Sequence, residues 1–83
     1  MKIQEEKLEQ AVDTFVVEMK KRLAKKEREG YGGWDRFNVS DTEYACQQII
    51  YDAIDITRST SPKLIKKLAT DIANRAMMIA YDR

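Results

Sequence analysis

Apolar residues recur every three or four positions along three stretches of the chain, and this spacing predicts three amphipathic helices. We expect the helices over about 3–28, 41–58 and 62–82. The positions that carry the pattern are Leu8, Val12, Phe15, Val16, Met19 and Leu23 in the first stretch; Ala45, Cys46, Ile49, Ile50, Ala53 and Ile54 in the second; and Leu64, Ile65, Leu68, Ala69, Ile72, Ala73, Ala76, Met77 and Ala80 in the third. The pattern predicts an all-α fold in a single domain over residues 1–83.

Turn and cap residues separate the three stretches. A glycine-rich turn over 30–39 ends the first helix, because glycine accepts backbone angles that other residues resist. The run Ser40-Asp-Thr-Glu43 has the pattern of a capping box, which predicts Ser40 as N-cap of the second helix and Glu43 as its N3 residue. Ser61 followed by Pro62 predicts the N-cap and first position of the third helix.

The third helix is apolar over more than half of its circumference, which is more than one short chain can cover. A chain of 83 residues buries a modest fraction of its surface and often gains stability by association. We therefore expect a dimer or higher homo-oligomer, with the second and third helices forming a bundle across the interface.

Composition narrows the classes of partner. The chain has 15 basic and 14 acidic residues, a net charge of +1, so nothing requires a nucleic acid polymer or a membrane surface as partner. Its start is polar, and no apolar run is long enough to span a bilayer, so we expect a cytoplasmic protein. Cys46 is the single cysteine, and we expect it to be buried as a small apolar residue. Histidine, the commonest general base and zinc ligand, does not occur in the sequence.

Two segments resemble a known family. Gly32-Gly33-Trp34 and the run Asp71-Ile-Ala-Asn-Arg-Ala-Met-Met-Ile-Ala-Tyr-Asp82 are similar to segments of MazG-like all-α nucleoside triphosphate pyrophosphohydrolases, especially small phage-type dATP/dGTP diphosphohydrolases. The similarity runs from Phe15 to the C-terminus. It implies a helical bundle, a nucleotide and Mg²⁺ held between helices by carboxylates, and residence in the host cytoplasm if the chain is encoded by a phage.

The acidic motifs of that family are only partly kept. Its Glu-Glu-x-x-Glu motif falls on residues 51–55, and its Glu-x-x-Asp motif falls on residues 68–71. The resemblance thus implies Asp52, Asp55 and Asp71 as metal ligands, whereas Tyr51 and Leu68 stand where the family has Glu. Two lost carboxylates and two shortened ones weaken a site for a hard divalent ion. We therefore expect poor hydrolysis and assign no catalytic residue.

The same comparison implies a ligand site made of Trp34, Tyr51, Lys67, Asp71 and Asn74. Trp34 is either a wall that stacks on a base or a lid over the core, and Tyr51 offers an aromatic face in place of a carboxylate. Asp71 and Asn74 lie on the helix side shared with Lys67, which we expect to face the flank of the second helix.

The alternative interpretation of these charged residues is structural. Asp52 and Asp55 are then exposed acids, or Asp52 pairs with Lys or Arg neighbours and Asp71 pairs with Lys67 or Arg75. Such surface ion pairs contribute little. The basic run 20–28 is either a solvated helix end or a rim that attracts phosphate.

The sequence is compatible with three functions. The first is a nucleotide-binding protein that sequesters a nucleotide or nucleotide-derived signal without a cofactor. The second is an active pyrophosphohydrolase that uses Mg²⁺ and a minimal acidic set. The third is a protein-interaction module whose partner surface is the amphipathic first helix.

Overall fold

The computed structural model describes residues 2–30 and 32–81 (side chains from residue 4), and these residues form three helices and no strand. The helices are α1 Lys2–Arg28, α2 Val39–Arg58 and α3 Pro62–Ala80. This confirms the all-α prediction. The second helix begins two residues earlier than expected, and residue 82, where we expected the third helix to end, lies outside the described residues. None of the described helices has an apolar stretch sufficient to cross a membrane.

The first helix ends at a glycine, as the sequence predicts. Gly30 has a positive φ of 93°, and its N–H donates to the Glu27 carbonyl. Gly33 also has a positive φ, of 82°, and its carbonyl accepts from the Arg36 N–H across a tight turn. Both positions use backbone angles that disfavour residues with a Cβ atom.

The capping box of α2 differs from the predicted one. The N-cap is Asn38, not Ser40, and the N3 residue is Asp41, not Glu43. The Asn38 side chain accepts from the Asp41 N–H at 2.8 Å, and the Asp41 carboxylate accepts from the Asn38 N–H at 3.1 Å. Asparagine caps as well as serine does, and the earlier box extends the helix by two residues.

The cap of α3 is the predicted one. Ser61 Oγ accepts from the Leu64 N–H, and Pro62 occupies the start of the helix. Ser59, the C-cap of α2, accepts the Ser61 N–H on its own Oγ at 3.1 Å. The connection between α2 and α3 is therefore a short, hydrogen-bonded turn that makes them antiparallel neighbours.

Helix α3 is the central element of the fold. It packs against both other helices, whereas the backbones of α1 and α2 do not approach each other in the part of the chain described. The contacts Glu18–Lys66, Met19–Asn74 and Arg22–Asp71 place residues 18–22 of α1 against residues 66–74 of α3.

The N-terminal half of α1 extends beyond its neighbours. Residues 4–14 are all exposed, and α1 is 27 residues long, a length of about 40 Å. Among the described residues, Ala45 is the one buried apolar residue, and the polar residues Thr70 and Asn74 are as deeply buried. The interior of the single chain is accordingly small and partly polar.

Cys46 is exposed, so the prediction that it is buried was wrong. Neighbouring positions on a helix are rotated by about 100°, and Ala45 takes the inward position on this turn of α2. Cys46 is turned away from α3 as a result.

The capping geometry yields a test with a matched control. We expect Asn38→Ala to lower the free energy of unfolding by about 1 kcal/mol, because the Asp41 N–H loses its acceptor. Ser40→Ala, within the first turn, should change it by less than about 0.5 kcal/mol. Urea unfolding of both variants at one protein concentration measures the difference. A larger loss for Ser40→Ala would reinstate the capping box predicted from the sequence.

Candidate functional site

An ion pair fixes the crossing of α1 and α3. Arg22 Nε donates to Asp71 Oδ1 at 2.9 Å, and the two side chains are 20% and 14% exposed. We expected Asp71 to pair with Lys67 or Arg75 on its own helix. The structure corrects this prediction: the partner is Arg22, so the ion pair joins two helices. A guanidinium places its donors in a fixed plane, which orients Arg22 against α3.

Asn74 makes a second polar contact at the same crossing. It is 4% exposed, and its Nδ2 donates to the Met19 carbonyl at 3.2 Å. Its Oδ1 is buried and has no hydrogen-bond partner in the structure. We expected Asp71 and Asn74 to face the flank of α2, but their hydrogen bonds go to α1. Because only the Asn74 amide nitrogen can donate to the Met19 carbonyl, the atom that is left unpaired is the oxygen, a hydrogen-bond acceptor.

Trp34 lies in the turn that connects α1 to α2, close to the C-terminal ends of α1 and α3. Its Nε1 donates to Glu27 Oε1 at 3.2 Å, and its ring packs edge-to-face on Tyr81 with centroids 5.2 Å apart. Both helices thereby hold the indole, in a geometry that aromatic pairs favour.

Arg22, Trp34, Asp71 and Asn74 line a cleft of about 310 Å³ between the three helices and turn residues 32–37, which we call the aromatic cleft. The volume is at the lower end of that of small-molecule sites. Trp34, Phe37 and Tyr44 contribute aromatic surface, and Asp71 and Asn74 contribute polar groups. The cations along it are Arg22, Lys26 and Arg75.

The structure therefore brings together three of the five expected ligand residues: Trp34, Asp71 and Asn74. Tyr51 is 57% exposed and does not line the aromatic cleft. Helical register explains this. Asp52 lies two turns beyond the inward-facing Ala45, and Tyr51 is rotated from Asp52 by about 100°, away from the inward face. Lys67 lines a different cavity, between α1 and the start of α3.

Several cleft residues were not predicted from the sequence. Phe37 lies three positions after Trp34, and this repeat of aromatic residues in a short turn was a usable signal. Arg22 and Lys26 belong to the basic run considered as a phosphate-attracting rim. Tyr44 lies beside Ala45 at the start of α2, and its role depends on how the turn folds back, which periodicity alone does not reveal.

The three proposed metal ligands do not come together. Asp71 accepts from Arg22, Asp52 accepts from Arg75 Nη1, and Asp55 is exposed. No three His, Cys, Asp or Glu side chains among residues 4–30 and 32–81 are placed to share a metal ion. Each guanidinium occupies carboxylate oxygens that Mg²⁺ would need, so these residues do not fit a magnesium centre.

Comparisons of the chain with protein-family models, with curated proteins and with solved structures found no match. The MazG-like resemblance therefore stays a prediction. The site has to be interpreted from its own geometry.

Double-mutant cycles test whether the crossing depends on its ion pair. For Arg22→Met with Asp71→Asn we expect a coupling energy of about 1–3 kcal/mol, because both side chains are mostly buried. The control cycle is Glu18→Gln with Lys66→Met, a pair across the same two helices whose side chains are 34% and 60% exposed. It should give less than about 0.5 kcal/mol. Urea unfolding measures both cycles, and equal couplings would contradict the assignment.

Proposed function

We propose that the protein binds a nucleotide or nucleotide-derived molecule in the aromatic cleft and holds it without efficient hydrolysis. The observation that carries this proposal is that Asn74, whose buried Oδ1 has no hydrogen-bond partner among the described residues, lines a cleft with aromatic walls. A buried acceptor without a partner costs about 1–3 kcal/mol. A ligand whose N–H or O–H displaces the groups that cover this atom and donates to it would recover that cost.

The remaining groups of the cleft suit a nucleotide. A base offers N–H donors at its edge and a flat face, and stacking on an aromatic side chain contributes about 1–3 kcal/mol per base. Trp34 and Tyr44 supply such faces, and Arg22 and Lys26 supply positive charge for phosphate. This combination of stacking surface, acceptor and cations favours a nucleotide over an uncharged apolar ligand.

Binding is favoured over hydrolysis because the acids are already engaged. A magnesium centre built on Asp52 and Asp71 would have to break the ion pairs with Arg75 and Arg22. Breaking partly buried ion pairs is costly, and no other described carboxylate joins them. We therefore rank the Mg²⁺-dependent pyrophosphohydrolase second, and we keep the MazG-like resemblance as part of the proposal.

We also propose that the chain forms a homo-oligomer. The chain exposes 6711 Å², whereas a compact monomer of its mass exposes about 5,100 Å². The excess of about 1,600 Å² per chain lies in the range of obligate interfaces. Exposed apolar residues spaced by four positions continue along α1 at Leu8, Val12 and Val16, and along α2 at Ile50 and Ile54. A second copy that covers these stripes would supply the core that one chain lacks.

Two tyrosines on α2 provide a matched test of the cleft. Tyr44 is 64% exposed and lines the aromatic cleft, whereas Tyr51 is 57% exposed and lies outside it. We expect Tyr44→Ala to weaken nucleotide binding about tenfold or more, because a stacking face is lost. Tyr51→Ala should leave the affinity within about twofold.

The measurement is quenching of Trp34 fluorescence during titration with linear and cyclic nucleotides, in EDTA and in Mg²⁺. Size-exclusion chromatography checks that both variants keep their assembly. Equal losses in the two variants, or no binding of any nucleotide, would refute the proposal. Binding that requires Mg²⁺ and releases pyrophosphate would favour the enzyme instead.

One charged substitution in the exposed apolar stripe of α1, formed by Leu8, Val12 and Val16, tests self-association. We expect the native mass to be at least twice the 9.7 kDa of the chain. Val12→Asp should shift it toward monomer, because an unpaired charge at an interface is costly. Val17→Asp is the control, since Val17 is 49% exposed on the same helix and is rotated by about 100° or more from the stripe residues. Sedimentation equilibrium measures the masses, and a monomeric native protein would exclude the oligomer.

A further inference from the structure

A second cavity lies between α1 and the beginning of α3, and we call it the lysine groove. Its volume is about 590 Å³. The charged side chains that line it are one carboxylate, Glu18, and six cations: Lys21, Arg22, Lys25, Lys63, Lys66 and Lys67. The whole chain has 15 basic and 14 acidic residues, so this ratio is a local segregation of charge.

The acids near the groove do not neutralise it. Glu18 is shared between Lys21 at 4.0 Å and Lys66 at 3.8 Å. Lys25, Lys63 and Lys67 form no ion pair with any described residue. The groove consequently has an excess of positive charge from two helices, and its field attracts anions.

Folding alone does not favour this arrangement. The first turn of α3 contains no acidic residue and carries Lys63, although the positive end of a helix dipole favours carboxylates there. Cations that face each other across a groove repel. A multiply charged anion would remove both penalties, whereas a single exposed ion pair would contribute little.

Arg22 connects this groove with the aromatic cleft, because it lines both cavities. Its Nε is occupied by Asp71, and its other four N–H donors make no hydrogen bond within the described chain. Asp71 is thus a positioning residue that holds the guanidinium between the cavities. A planar guanidinium with free donors suits phosphate oxygens.

We propose that the lysine groove binds the phosphate chain of the nucleotide whose base occupies the aromatic cleft. This inference rests on the proposed function and narrows its ligand to linear nucleoside di- or triphosphates, because a cyclic nucleotide has no free phosphate chain to extend past Arg22. The lysines would balance the phosphate charge that Mg²⁺ commonly balances in nucleotide sites, so binding proceeds in EDTA. It weakens with salt, since the contacts are exposed charges.

Two double variants with the same change in net charge test the groove. Lys63→Gln/Lys67→Gln removes two unpaired cations of the groove. Lys7→Gln/Lys20→Gln removes two exposed lysines of α1 that line neither cavity. The probes are inorganic tripolyphosphate, which reports on the groove alone, and a panel of nucleoside triphosphates, all by calorimetry in EDTA. Circular dichroism verifies that each variant is folded.

We expect the native protein to bind both probes. The groove variant should lose about tenfold in affinity for each, and the control variant should stay within about twofold. No tripolyphosphate binding by the native protein, or equal losses in the two double variants, would overturn the inference. In either case, loss of nucleotide binding in Tyr44→Ala would leave the proposed function standing.

The same measurements also distinguish a failure of the proposed function from a failure of the lysine groove. If the groove variant weakens both probes but Tyr44→Ala leaves triphosphate affinity unchanged, the base does not occupy the aromatic cleft. That result would overturn the link between the two cavities and the proposed function with it, and would leave the groove as a site for inorganic polyphosphate.

Discussion

The attachment of α1 to α3 determines the rest of this structure, and two polar contacts fix its geometry. Arg22 binds Asp71, and Asn74 binds the Met19 carbonyl, while Ala45 is the one buried apolar residue among those described. An apolar contact tolerates sliding, but hydrogen bonds fix direction and distance. Because such bonds contribute little net free energy, they specify where α1 lies more than they stabilise it. In the homo-oligomer that we propose, the apolar surfaces that the single chain leaves exposed would add the stability that these bonds do not.

The same polar groups line the candidate site. Asn74 uses one end of its amide to hold α1, and Arg22 uses one N–H donor for Asp71. Within the described part of the chain, the Asn74 Oδ1 and the other four N–H donors of Arg22 have no hydrogen-bond partner. The atoms that connect the helices therefore also belong to the candidate binding surface. A ligand that engages them also tightens the joint, so binding should stabilise the folded chain by mass action. This coupling would be weaker in a protein whose helices were held by a separate apolar core.

The sequence predicted the helices well because periodicity reports which face is apolar, and Ser61-Pro62 has a direct physical meaning as a cap. It failed where one position decides the outcome. Two capping boxes overlap at residues 38–43, and local chemistry does not rank Asn38 below Ser40. Tyr51 and Cys46 are each one residue from an inward position, which is a rotation of about 100°. The pairing of Asp71 with Arg22 joins residues 49 positions apart, so it depends on tertiary packing that no local pattern encodes.

The two arginine pairs also show how carboxylates between helices can be balanced by side chains. A divalent ion between helices compensates several carboxylates at once, whereas Arg22 and Arg75 compensate Asp71 and Asp52 one at a time. Each pair joins two helices, so the arginines supply the cross-linking that an ion would otherwise provide. The consequence is electrostatic: with its nearest acids neutralised, the region around Arg22 does not repel an anion, and the unpaired lysines of the adjoining groove determine the sign of the local field. On the function that we propose, a frame that resembles one built to hold a cation between acids would accept an anion between bases.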